Sequence, residues 1–143
     1  MIELVFVIVV LGILAAVAVP KFAATREDAQ MSKGAADVAS IRSGIVSVRQ
    51  QYLLRGQTSY PTTLSGGAAG GSGLLFDGNG TGGILMYPIT PKTAEGHWSG
   101  ADPNYTYQVG GITCDFVYNQ ANGTFNLGGD NADHEYCKAL VGE

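Results

Sequence analysis

Few side chains in this sequence have the type and spacing that chemistry needs, and Glu3 is the first of them. It is the one charge in residues 1–19, MIELVFVIVVLGILAAVAV. A carboxylate inside an apolar helix costs roughly 2.5 to 3.5 kcal/mol on insertion scales unless something neutralises it. Membrane anchoring alone gives no reason to keep it. Two readings fit: Glu3 sits at a helix end and reaches back to the headgroups, or it meets a positive partner on another copy of the chain, for which a free α-amino group is the candidate. A pair of the second kind would be largely desolvated, so it would set register between neighbours more than it would add stability.

Cys114 and Cys137 are the two cysteines, and no His or Cys stands at metal-ligand spacing around them. A disulfide is the simplest reading, with buried free thiols as the alternative. The bond would stabilise the fold by about 3.5 kcal/mol in the chain-entropy view and would place this part of the chain in an oxidising compartment. Catalysis has little to stand on. His97 and His134 are the only histidines, and there is no G-x-S-x-G, no P-loop and no dinucleotide fingerprint. The eight Lys and Arg residues are scattered in a chain of formal charge -4, so the basic footprint of a nucleic-acid binder is missing. Asp130, Asn131, Asp133 and Glu135 form one group of oxygen ligands of the kind calcium prefers, and Asp77 with Asn79 forms another. Neither has EF-hand spacing; a solvated turn with local Asx-type hydrogen bonds explains each more simply than a metal site, and no cofactor is assigned. Asn79-Gly80-Thr81, Asn104-Tyr105-Thr106 and Asn122-Gly123-Thr124 match the N-x-[ST] glycosylation pattern. Asn79 is the preferred acceptor because Asp77 precedes it by two residues.

The elements that must position these residues begin with one long helix. Residues 1–19 are about as long as a bilayer core requires, roughly 20 residues, and Lys21 follows the apolar run instead of preceding it, unlike a cleavable signal. Beyond Lys21 the helical period continues: Val38, Ile41, Ile45, Val48 and Tyr52 make one apolar stripe, with Asp37, Arg42, Ser43 and Arg49 off it. The helix is expected over residues 1–55, roughly 80 Å at the usual rise. Gly34 and Gly44 would each weaken it by about 1 kcal/mol relative to Ala, and Pro20, lacking an N–H, should kink it. Its first half is apolar all round and needs lipid or copies of itself.

After Gly56 the sequence turns rich in glycine and proline, which reads as a long surface connection. Residues 84–90, 105–109, 113–118 and 124–127 carry β-branched or aromatic residues between Gly, Pro or Asn, so three or four antiparallel strands are expected. Trp98, Tyr105, Tyr107, Phe116, Tyr118 and Phe125 fit core and cross-strand positions. The fold class is α+β, a small sheet packed on the amphipathic half of the helix. The chain divides into a membrane or filament-core helix, 1–20, an amphipathic helix, 21–55, and a β-rich head, 56–143.

The string IELVFVIVVLGILAAVAVPKF, with Glu3, Gly12 and Pro20 in place, resembles the N-terminal segment shared by type IV pilins and the pseudopilins of type II secretion. The match is close over the first 22 residues and holds beyond them only in plan. The family pattern carries a Phe-Thr-like pair ahead of the position matching Met1, so about two residues are missing here or processing differs. The resemblance implies a leader removed by a prepilin peptidase, N-methylation, and a subunit held in the inner membrane until the assembly machinery passes it into an extracellular homopolymer. It implies pairing of Glu3 with a neighbour's amino group, and loss of helicity between Gly12 and Pro20 in the filament. The connection after the helix and residues 114–137 would correspond to the surface-variable regions. Adhesion, twitching motility and DNA uptake are the functions of such filaments. The major pseudopilin of a secretion system, which binds calcium in its C-terminal part, is the alternative. A membrane-tethered periplasmic binding domain is a third reading, and it leaves Glu3 unexplained.

Overall fold

The computed structural model describes residues 1–66, 73–78 and 83–143, and of Pro20, Ala23 and Ala24 the backbone alone. A single helix, α1 (Ile2–Leu54), begins the chain, and Arg55 caps its C-terminus. It runs through Pro20 without a break. The amphipathic stripe does what its spacing predicts: Val38, Ile41, Ile45 and Val48 are buried, and Tyr52 packs at the edge of the same cluster.

A four-stranded antiparallel meander lies against that stripe: β1 (Trp98–Ala101), β2 (Asn104–Val109), β3 (Ile112–Asn119) and β4 (Thr124–Gly128), paired in chain order. Alternation along the strands sends one set of side chains inward. Trp98 faces Tyr107, Tyr105 faces Phe116, and Tyr118 faces Phe125 across the ladders. All six are buried. They join Phe76 in a packed aromatic cluster, with Phe116 and Phe125 stacked at 5.2 Å and Phe76 and Tyr105 at 4.6 Å. The two-residue turn between β2 and β3 requires positive φ at both positions, and Gly110 and Gly111 supply φ of 58° and 75°.

Two expectations differ from the structure, and one element was not anticipated. Residues 84–90 form no strand; Leu75 and Ile89 make one isolated bridge, and Pro88 beside it has no N–H to extend a ladder. The connection from α1 to the sheet is more than surface, because it delivers Leu64, Leu75, Phe76 and Ile84 to the core. A short second helix, α2 (Glu135–Val141), buries Cys137 and Leu140 and lies on α1.

Candidate functional site

Ile2–Val19 has a mean hydropathy of 3.0 and none of it is buried against the rest of the chain. The segment is long and apolar enough to cross a membrane and is a candidate anchor. A patch this large and this apolar marks a surface that lipid or protein covers.

Glu3 lies in the first turn of α1, where the free backbone N–H groups and the helix dipole favour a carboxylate. Among the described residues the only ion pair is Lys138 with Asp133 at 3.2 Å, and Glu3 has no cationic partner among them. A Cβ added at Gly12 would meet nothing within 4 Å, so the chain's own packing does not require glycine there. Glu3, Gly12 and Pro20 are strung along α1 over about 26 Å at the standard rise; they do not converge on a pocket.

Cys114 on β3 and Cys137 on α2 form a disulfide, with Cα atoms 5.4 Å apart and both residues buried. The bond ties the C-terminal helix to the sheet. Asn79 falls outside the described residues. Asn104 is exposed at the start of β2, and Asn122 Oδ1 accepts from the backbone N–H of Thr124 at 3.2 Å and from its hydroxyl at 2.7 Å. In the acidic C-terminal group, Asp133 pairs with Lys138 and Asn131 donates to the Thr113 carbonyl at 3.0 Å. No set of three His, Cys, Asp or Glu side chains among the described residues is placed to hold a metal. His97 Nδ1 lies 2.9 Å from the Glu95 carbonyl oxygen, and His134 Nδ1 accepts the Tyr136 N–H at 3.3 Å as the cap of α2.

The head is fixed to the helix by polar contacts that the sequence does not signal. Trp98 Nε1 donates to Asp37 Oδ2 at 2.9 Å, the Tyr107 hydroxyl donates to the Gln30 carbonyl at 2.7 Å, and Arg42 Nε donates to the Phe125 carbonyl at 3.0 Å. Asp102 accepts the backbone N–H groups of Leu64 and Ser65 at 2.7 to 3.0 Å and so clips the connection to the sheet. Each partner stands dozens of residues away, and no local motif announces it. Burial raises the Tyr107 and Tyr118 hydroxyls to about 12, with smaller contributions from nearby carboxylates. Tyr105 is pushed higher still by burial, against the opposing effect of its Ser65 hydrogen bond.

No family model, curated protein or solved structure matches this chain.

Proposed function

We propose that this chain is the structural subunit of a type IV pilus: an inner-membrane protein that moves into an extracellular filament whose core is a bundle of α1 helices. The observation that carries the reading is the helix of Ile2–Val19, unburied by its own chain and bearing a single carboxylate near its tip. A membrane anchor alone would be served as well by an apolar residue at position 3. A homopolymer gives the exposed surface a partner and gives Glu3 the amino group of the next copy. The chain then acts by assembling, with no catalytic step, and serves adhesion, motility or DNA uptake through the polymer. The disulfide and the long connection that feeds the core favour a pilus subunit over a secretion pseudopilin.

Replacing Glu3 by Ala tests this directly. The subunit is expected to remain in the membrane with its head folded while filament yield collapses. Normal assembly by that variant would refute the charge pairing.

A further inference from the structure

Two of the three N-x-[ST] acceptor patterns lie among the described residues, and the fold treats them in opposite ways. Asn104-Tyr105-Thr106 runs inside β2, which pairs with β1 on one side and β3 on the other. Tyr105 is fully buried, and the Thr106 hydroxyl is engaged by the Ser99 hydroxyl at 2.7 Å. A glycan transferase has to take the three residues into its own site, which here would mean drawing an interior strand out of the sheet. Asn122-Gly123-Thr124 lies instead in the turn from β3 to β4, with Asn122 exposed. Asn122 Oδ1 accepts the Thr124 N–H at 3.2 Å and the Thr124 hydroxyl at 2.7 Å. Carboxamide and hydroxyl, the two groups that the acceptor pattern demands, are thus already in contact. Asn122 Nδ2 makes no hydrogen bond to the described residues.

The turn is held in place from within the head. The Asn119 carbonyl accepts the Gly123 N–H at 2.8 Å, and Asn119 Oδ1 accepts the Ala121 N–H at 2.9 Å. Gly123 has a φ of 70°, and a Cβ there would strike the Tyr60 ring, so glycine is required at the middle of the pattern. Tyr60 in turn lies under the Arg49 guanidinium, 3.9 Å from it, near the end of α1. Arg49 stands about 45 Å of helix beyond Val19 at 1.5 Å per residue, so the turn is clear of any bilayer that holds Ile2–Val19. The Cys114–Cys137 disulfide fits a head in an oxidising compartment, the kind in which secreted chains receive N-glycans at surface loops.

We propose that Asn122 is the acceptor of an N-linked glycan, supplied by a polyprenyl-diphosphate-linked oligosaccharide. Nδ2 bonds to the anomeric carbon of the first sugar as the carbon–oxygen bond to the polyprenyl diphosphate breaks. The diphosphate leaves with the electron pair, Nδ2 gives up one proton, and nothing is oxidised or reduced. Gln120 stands two residues before Asn122, so the transferase reads the three-residue pattern without the acidic residue that Asp77 provides ahead of Asn79. The site does not depend on the filament reading, since a tethered head of any kind would present the same turn.

Mass spectrometry of the full-length chain, isolated from the envelope of its source cells, reduced and digested with trypsin, tests the site. Residues 93–138 leave as one peptide that holds both Asn104 and Asn122. That peptide should carry the added mass of an oligosaccharide, and electron-transfer fragmentation should place it on Asn122 and not on Asn104. Asn122→Gln and Thr124→Val should each abolish the added mass, while Thr124→Ser and Asn104→Gln should keep it. Recovery of the peptide at its unmodified mass alone would overturn the proposal. So would a glycan found on Asn104 or on a hydroxyl group, or one that persists in Asn122→Gln.

Discussion

Gly12, Gly34 and Gly44 lie on one helix and answer to different neighbours. A Cβ at Gly34 would strike Leu140 and Tyr107 at 2.6 Å, and one at Gly44 would strike the Ile84 carbonyl oxygen. These two glycines let α2 and the connection approach the helix, which offsets the roughly 1 kcal/mol each costs in helix propensity. Gly44→Ala should therefore lower the head's stability by about 1 to 2 kcal/mol, overpacking outweighing the gain in propensity, as read from urea denaturation. Gly12→Ala should leave the urea midpoint of the head unchanged. Replacing Cys114 and Cys137 together by Ser should cost about 3.5 kcal/mol by the same measurement, the loop-closure value for this separation. At this scale the cysteine pair and the aromatic core positions were legible from residue type and context, because each satisfies a strong local rule. Asp37 and Asp102 were not, since a carboxylate on a helix or beside a proline looks the same whether or not a distant donor awaits it.

Among the elements, α1 and the strands β2, β3 and β4 could be read from periodicity, since each repeats its pattern long enough to be distinctive. β1 could not: its four residues, WSGA, hold one large apolar side chain. The same holds for α2, seven residues long and capped by His134 in place of the usual Ser, Thr, Asp or Asn. Buried phenols tie the sheet to its neighbours, Tyr107 to the Gln30 carbonyl on α1 and Tyr118 to the Pro61 carbonyl in the connection, and this makes the packing sensitive to alkali. The unfolded tyrosine hydroxyl titrates near 10, whereas those of Tyr107 and Tyr118 titrate near 12 in the folded chain. Between these values the folded state holds more protons than the unfolded state, so stability falls as pH rises. The contribution is complete below about 10 and lost on passing through about 12. Urea midpoints measured at pH 9 and near pH 11.5 should show this loss, and Tyr107→Phe should make it smaller; an unchanged pH dependence in that variant would contradict the assignment.

Viewed whole, the molecule uses one part of its long helix to build the core and leaves the other part bare. The core is built by the amphipathic part of α1, from Val38 to Val48, together with the head, with Met31 packed at its edge, while Ile2–Val19 contributes nothing to it. A fragment beginning at Asp28 should fold with its disulfide intact and sediment as a monomer, whereas the full chain should require membrane or detergent. A fragment that failed to fold would show that the apolar half also supports the head. Electron microscopy of filaments sheared from producing cells, with mass spectrometry of their main subunit, tests the account's central claim most directly. Long surface filaments built of this chain, held together by the helix that its own head leaves bare, are the predicted result; the protein confined to the envelope, with no filament containing it, would contradict the account.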